Sequence, residues 1–135
     1  MKLKYVLAKA FAVAVAMGSL TGCHTKETGN DIIKDNVENA VAQLTLQTDI
    51  IEKSGKFLNP RTYEKGKMNY VPIDDWCSGF FPGTLWYTYE LTGDKKWEKL
   101  AAKYTEQLDS VKHLKWHHDV GFMIGSSYLN GLLLD

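Results

Sequence analysis

Cysteine is scarce in this 135-residue sequence: only Cys23 and Cys77 are present, which excludes a framework of several disulfide bonds. The sequence also lacks a block of basic residues, so it offers no electrostatic footprint for nucleic acid. The alternation of apolar and polar residues that indicates β-strands is scarce too, and the chain is therefore predicted to be all-α. Aromatic residues, by contrast, are frequent, with four Trp and seven Tyr, which argues against extensive disorder.

The first 22 residues have the layout of a secretory signal peptide. Three lysines without an acid precede an apolar run at residues 11–17, and small residues then lead to Cys23. The run is too short for a membrane-spanning helix, which needs about 20 apolar residues. Leu20-Thr21-Gly22-Cys23 resembles the lipobox of bacterial lipoproteins, so Cys23 is expected to carry a lipid anchor that holds the protein in the cell envelope, on the periplasmic or outer-membrane side. An ordinary cleaved signal peptide is the alternative.

The mature chain is divided by composition into a short polar segment and one domain. Removal of the leader leaves 13 Lys and Arg against 16 Asp and Glu, a net charge of about −3. Residues 23–30 are polar and are interpreted as a tether between the lipid and the folded part. Residues 31–135 are then a single domain. Once Cys23 is acylated, Cys77 has no cysteine left to pair with.

Helical periodicity begins near Ile33, where apolar residues recur on one helix face. Asn30 or Asp31 is expected to cap this first helix, and Ser54-Gly55 ends it. Residues 56–75 contain several turn-forming residues and are interpreted as an irregular loop. Long loops inside compact domains are often functional, so this loop is a place to look for a site.

Three further helices are expected after the loop. The second is predicted at about residues 79–91, and Thr92-Gly93-Asp94 supplies a stop and a new cap, so that a third helix reaching Val111 completes a helical hairpin. A fourth begins near Met123 and is still on an apolar pattern at Asp135. An array of helical hairpins does not bury its last unit without the next one, so the sequence is expected to be a fragment of a longer protein.

A first candidate site lies in residues 74–83, where adjacent acids, aromatic residues and two glycines meet the start of the second helix. Aromatic faces such as those of Trp76 and Phe80 stack on the C–H surface of pyranose rings, and carboxylates accept hydrogen bonds from sugar hydroxyls. The alternative is a helix cap followed by core aromatics, which the pattern alone favours because aromatic residues are common in cores.

A second candidate site lies in residues 116–122. A carboxylate beside imidazoles, as in His117-His118-Asp119, is suited to general acid–base catalysis. His113 and His117 are four residues apart, a spacing that permits a metal pair on a helix. Two histidines and one carboxylate are too few to predict zinc, and no metal is expected. Turn residues followed by Asp119 as a helix cap are an equally good interpretation.

A third candidate is Arg61, in Asn59-Pro60-Arg61 at the start of the long loop. Its guanidinium is suited to pair with a substrate carboxylate through two parallel hydrogen bonds. A surface arginine after a turn is at least as consistent with this pattern.

Taken together, these motifs resemble glycoside hydrolase family 88, the unsaturated glucuronyl hydrolases. The resemblance rests on Asn59-Pro60-Arg61, on DWCSGFFPG at residues 75–83, on YELTGD at residues 89–94 and on HDVGFM at residues 118–123. WxSGFxPG followed at this distance by HDxGF is a specific pair. Cys77 stands where a threonine or another small residue is expected. A sister class that acts on unsaturated rhamnogalacturonides shares the fold, but the WxSGFxPG form is closer to the glucuronyl type.

The resemblance implies an (α/α)6 toroid of twelve helices around a central pocket, of which this chain is the truncated N-terminal part. The implied substrates are oligosaccharides that lyases release from glycosaminoglycans or similar acidic glycans and that begin with a 4,5-unsaturated uronic acid. An aspartic acid protonates the ring double bond, water adds, and the resulting hemiketal rearranges to release the remaining sugar. This route differs from displacement at the anomeric carbon. No cofactor is implied.

Two aspartates act in the active sites of this family, and the resemblance matches Asp119 to one of them. Trp76 matches the tryptophan of the uronate subsite, and His118 is its neighbour in the pocket. Phe80 and Arg61 complete the predicted substrate-binding set. The second aspartate lies further along the family's sequence than Asp135 reaches, so the alternative function is an inactive truncated lipoprotein that at most binds sugars.

Overall fold

The computed structural model describes residues 28–134, and it is mostly helical. The predictions for the signal peptide, for Cys23 and for most of the tether lie outside the described residues. The chain divides into two units between Ile32 and Ile33, and all candidate site residues except Cys23 belong to the second unit. Within residues 28–134, no helix is both long and apolar enough to cross a membrane.

The first helix, α1, spans Gly29–Ser54. The expected cap at Asn30 or Asp31 is wrong in detail. The helix begins at Gly29, so Thr28 occupies the cap position. The Asp31 carboxylate accepts a hydrogen bond from the Thr28 backbone N–H at 3.0 Å, and the Thr28 hydroxyl accepts one from the Asp31 N–H at 3.3 Å. This reciprocal pair is a capping box, in which the third helical residue supplies the acid. The end at Ser54-Gly55 is confirmed, and Gly55 has a φ of 65°.

The segment predicted to be an irregular loop contains a β-hairpin instead. Strands β1 (Asn59–Glu64) and β2 (Lys67–Val71) pair in an antiparallel fashion, and both residues of the connecting turn, Lys65 and Gly66, have positive φ. Such a two-residue turn matches the twist of a hairpin. Most side chains of both strands are exposed or half-exposed, so the hairpin has no strict apolar alternation by which its sequence would be recognised.

The predicted helical hairpin is confirmed as α2 (Phe80–Thr92) and α3 (Lys95–Glu106). Gly93 takes the left-handed conformation that ends α2, and the Asp94 carboxylate caps α3 by accepting a hydrogen bond from the Lys96 N–H at 2.9 Å. The third helix is shorter than predicted, because a separate 3-10 helix, Asp109–His113, carries Val111.

The last helical stretch follows from Val120 without a break. It consists of α4 (Val120–Ile124), a π-helical turn (Gly125–Leu129) and α5 (Asn130–Leu134). It packs against α2, and the two backbones approach each other where α2 begins, at Gly79 and Gly83. This crossing brings the segment after Asp119 next to Phe80.

The core consists of two clusters of buried side chains. The larger joins α1, α2 and α3 and contains Ile51, Phe81, Leu85, Trp86, Trp97, Ala101 and Tyr104. The smaller lies under the last helical stretch and contains Leu108, Val111 and Met123. Tyr128 is half-buried against the smaller cluster, whereas Leu132 and Leu133, near the end of the last helical stretch, are exposed.

Candidate active site

Trp76 and Phe80 form an exposed aromatic pair in front of α2. Their rings meet edge to face, with centroids 5.7 Å apart and planes at 87°, and 44% and 41% of the two residues is exposed. The alternative that this motif supplies only core aromatics holds for Phe81 and Trp86, which are buried, but not for this pair. A solvent-facing indole is what stacking on a sugar ring requires.

Successive turns lead the chain from β2 into α2 and place Trp76 at their outer side. The Asp75 N–H donates to the Pro72 carbonyl, the Ser78 N–H to the Asp75 carbonyl, and the Phe80 N–H to the Cys77 carbonyl. Each backbone group thus finds a partner within three residues.

Arg61 lies beside this aromatic pair. Its Nη1 is 2.8 Å from Oδ2 of Asp75, and its Cζ is 6.0 Å from the centroid of the Trp76 ring. The guanidinium therefore combines an ion pair with a cation–π contact. Because a guanidinium carries five N–H donors, the bond to Asp75 leaves donors for a substrate carboxylate.

Asp75, one of the adjacent acids of the first candidate site but without a predicted role of its own, accepts more hydrogen bonds than Asp119 does. Its Oδ1 accepts hydrogen bonds from the Cys77 N–H at 3.1 Å and from the Cys77 Sγ at 3.0 Å, while Oδ2 binds Arg61. Partial burial acts to raise the pKa of Asp75, but the hydrogen bonds from Cys77 and the charges of Arg61 and His117 together hold it below its ordinary value. The feature of the sequence that could have identified Asp75 is its position directly before Trp76.

The pKa of the neighbouring Cys77 thiol shifts in the opposite direction, upward. Burial, together with the hydrogen bond to the Asp75 carboxylate, raises the pKa of the Cys77 thiol from 9.0 to about 11. The thiol is therefore protonated at neutral pH and donates to Asp75.

His117, His118 and Asp119 form a turn that leads into α4. The Asp119 N–H donates to Nδ1 of His117 at 3.1 Å, and Oδ2 of Asp119 is 3.3 Å from Nε2 of His118. The Asp119 side chain is 20% exposed, whereas that of His118 is 90% exposed. Asp119 does stand at the N-cap position, but its side chain forms no capping hydrogen bond. Its carboxylate is directed to an imidazole instead.

Metal binding has one candidate among residues 28–134, the same three side chains. Ligand atoms of His117, His118 and Asp119 lie within 4.8 Å of one another. The metal pair considered for His113 and His117 is not formed on a helix, because the 3-10 helix ends at His113 and His117 lies in the turn after it. The family resemblance implies no metal here.

The two predicted clusters are close to each other in space. Phe80 of the first cluster and Phe122 of the second both line an open groove of about 560 Å³ between α2 and the last helical stretch. Neither Trp76 nor Asp119 lines this groove, so it adjoins the predicted site and does not contain it.

Several other proteins are similar to this chain in sequence. It is 43% identical over 65 residues to an unsaturated glucuronyl hydrolase of Formosa agariphila, an alignment that covers 48% of this chain and 16% of the relative. It is 41% identical over 68 residues to an enzyme of the same name from a Bacillus species, with 46% and 18% covered. An unsaturated chondroitin disaccharide hydrolase of Streptococcus agalactiae is 29% identical over 97 residues, with 67% and 23% covered. No family model matches the chain.

A solved structure is also similar to this chain. The crystal structure of an unsaturated glucuronyl hydrolase specific for heparin matches with a TM-score of 0.66 and 39% identity, over 78% of this chain and 28% of that chain. The fold is accordingly all-α and of the α/α-toroid kind, as the sequence predicted. The similarities support the unsaturated glucuronyl hydrolase family, and the chain spans less than a third of the length of each of these proteins.

Proposed function

We propose that the protein is a glycoside hydrolase that removes a 4,5-unsaturated uronic acid from the non-reducing end of lyase-generated oligosaccharides. One observation supports this proposal most: a mostly buried carboxylate, Asp119, contacts an exposed imidazole on the segment next to the open aromatic pair of Trp76 and Phe80. The names of the relatives, two of which specify chondroitin or heparin, are in accord with a glycosaminoglycan-derived substrate.

In this proposal each site residue has one task. Trp76 stacks on the C–H face of the uronate ring, with Phe80 supporting the indole from the side. Arg61 uses its remaining donors on the uronate carboxylate. Asp119, paired with His118, hydrogen-bonds the ring hydroxyls more strongly as charge develops during protonation of the double bond, which lowers the barrier and not only the binding energy.

Asp119→Asn tests the catalytic part of this proposal, since it keeps the shape and removes the charge. We expect turnover to fall at least about a hundredfold, the lower end of what a positioned acid–base group contributes. The assay follows the ultraviolet absorbance of the 4,5-unsaturated uronate, which hydration of the double bond abolishes, with chondroitin, heparin and gellan oligosaccharides. The assay uses the complete protein that the gene encodes.

Asp109→Asn is a matched control, because Asp109 is an exposed carboxylate paired with Lys112 away from the aromatic pair. It is expected to keep turnover within about twofold, as exposed ion pairs contribute little. Equal activity of wild type and Asp119→Asn on all three substrates would refute the proposal. Binding of these oligosaccharides without loss of absorbance in the wild type would favour the alternative, a protein that binds sugars and does not cleave them.

We further propose that the protein works at the cell envelope, held by a lipid on Cys23. The support is the leader and the lipobox-like Leu20-Thr21-Gly22-Cys23 in the sequence. Anchoring would place the hydrolase where products of extracellular or periplasmic lyases are available.

A further inference from the structure

Asp75 lies beside the aromatic pair of the proposed site and has no part in the reaction as described. Both of its carboxylate oxygens accept hydrogen bonds from protein groups: Oδ2 from Arg61, and Oδ1 from the N–H and S–H of Cys77. Only 17% of its side chain is exposed. A carboxylate with its oxygens occupied in this way is suited to hold neighbours in place and not to take up substrate protons.

Arg61, the partner on Oδ2, stands at an irregularity of the β-hairpin. In the pairing of β1 with β2, Pro60 faces Tyr70 and Thr62 faces Asn69, so Arg61 is left out of the register. A bulge of this kind bends the strand and changes the direction of a side chain. Here it accompanies an Arg61 side chain that extends to Asp75, 14 residues away in sequence.

The consequence for Trp76 follows from geometry. The guanidinium that Asp75 binds also lies 6.0 Å from the centre of the indole. Phe80 meets the indole on an edge-to-face contact. The Trp76 ring is therefore held between a cation fixed by Asp75 and a phenyl ring fixed by α2, although 44% of the residue is exposed.

Asp75 thus fixes the cation that lies beside the indole, through a bond that joins β1 to the turns before α2. We propose that Asp75 is the positioning residue of this site, which through Arg61 holds the stacking face of Trp76. This inference rests on the proposed function only for its kinetic consequence, because the positioning itself is a property of the structure without substrate.

The first test needs no activity and reports on Trp76. A Trp116→Phe background leaves three of the four tryptophans, and Trp76 is the exposed one, since Trp86 and Trp97 are 3% and 2% exposed. With Asp75→Asn we expect acrylamide to quench the fluorescence of Trp76 about twofold more strongly, because Arg61 loses its charged partner and leaves the ring. Asp109→Asn, which breaks another Asp-to-cation pair, is the matched control and is expected to leave the quenching unchanged.

Arg61→Met removes the other partner of the ion pair with Asp75. Arg61 lies on a largely exposed strand, so this change is not expected to prevent folding. Quenching is expected to rise as it does in Asp75→Asn, and the double variant is expected to add nothing to either single change, since both remove one interaction. If Arg61→Met quenches like the parent, or if Asp75→Asn does so with an unchanged near-ultraviolet circular dichroism spectrum, the positioning role is wrong.

The second test separates positioning from a loss of folded protein. If uronate hydrolysis occurs, Asp75→Asn is expected to raise KM about tenfold, the loss associated with one hydrogen bond to a charged group, and to leave kcat within about threefold. A variant that merely folds poorly loses kcat in proportion to the active fraction and keeps its KM. A tenfold fall in kcat at unchanged KM in Asp75→Asn would overturn the inference. Failure of Asp119→Asn to reduce turnover would instead refute the proposed function, and the quenching result alone would then decide whether Asp75 positions Trp76.

Discussion

At the scale of single residues, the Asp75 carboxylate determines the chemistry of the neighbouring thiol. It accepts the Cys77 S–H and, with burial, raises the pKa of that thiol from 9.0 to about 11. The same bond, with Arg61, keeps Asp75 ionised below its ordinary pKa. The pair is therefore a neutral thiol on a carboxylate anion throughout the neutral range, and the thiol is a poor nucleophile there.

Alkylation of Cys77 is expected to be slow at pH 8 and to increase as the pH rises toward 11. Because the thiolate is the reactive form, the rate with iodoacetamide at pH 8 is expected to lie about a hundredfold below that of a thiol with an unshifted pKa. The measurement uses mass spectrometry on a Cys23→Ala variant, so that a single cysteine is present.

Asp75→Asn is the control for this prediction. It removes the anion that stabilises the protonated thiol, so labelling at pH 8 is expected to become faster. Labelling of the parent at the rate of a small thiol peptide would contradict the assignment of Cys77 as a donor to Asp75.

At the scale of secondary-structure elements, the crossing of α2 with the last helical stretch decides where Asp119 lies. Gly79 and Gly83 are one helical turn apart at the start of α2. A Cβ at Gly83 would be 2.5 Å from the Ser126 carbonyl oxygen, and one at Gly79 would collide with the backbone of Met123. The absence of side chains at these two positions allows the backbones to touch, which brings the segment after Asp119 against Phe80.

Gly79→Ala is expected to destabilise the protein by about 3 kcal/mol or to force the last helical stretch away from α2, because the neighbouring atoms are backbone and do not move aside. Backbone strain is not the cause, since Gly79 has a right-handed φ of −74° and ψ of −17°. The measurement is the free energy of unfolding from denaturant titration.

Gly125→Ala makes the same change where space is available. Gly125 also has right-handed dihedral angles, −62° and −43°, and apart from its chain neighbours and the backbone of its own helix no atom lies within 4 Å of its would-be Cβ. It is expected to be neutral or to stabilise by about 0.5 kcal/mol through the unfolded state. Equal effects of the two alanines would show that the contact at Gly79 does not limit this packing.

At the scale of the whole molecule, the residues of the proposed site all lie in the unit Ile33–Asp135, and the leader-like residues 1–22 lie outside the described structure. In the lipoprotein proposal, residues 1–22 determine where the site operates. Their removal would leave a net charge of about −3, with no excess of basic residues to hold the chain on anionic lipid. Attachment to a membrane is therefore expected to depend on the lipid at Cys23.

Cys23→Ala is expected to abolish fatty-acid labelling and to release the protein from the membrane fraction. Labelling with a palmitate analogue and fractionation of cells measure both effects. Cys77→Ser is the matched control, because it removes the other cysteine and is expected to retain the label. Unchanged labelling and retention in Cys23→Ala would exclude the lipoprotein assignment.

Much of the helical framework was predictable because its signals are local. The apolar periodicity of α1, and the Gly93-Asp94 pair that ends α2 and caps α3, act within one or two helical turns. The β-hairpin was missed for the same reason: its strands are largely exposed, and without a buried face the sequence shows no alternation. The all-α class was nevertheless correct, since the hairpin is small.

Within the site, the sequence by itself determined which residue types were available and, through Trp76 and His118-Asp119, which family they resemble. Only the tertiary structure decided that Trp76 is open while Trp86 is buried, and that Asp75 binds Arg61. The contact of Asp75 with Arg61 joins residues 14 positions apart, beside the bulge in β1, and the crossing of α2 with the last helical stretch joins Gly79 to Met123. Local propensity carries no information about such pairs, because their free energy arises only after separate elements have packed together.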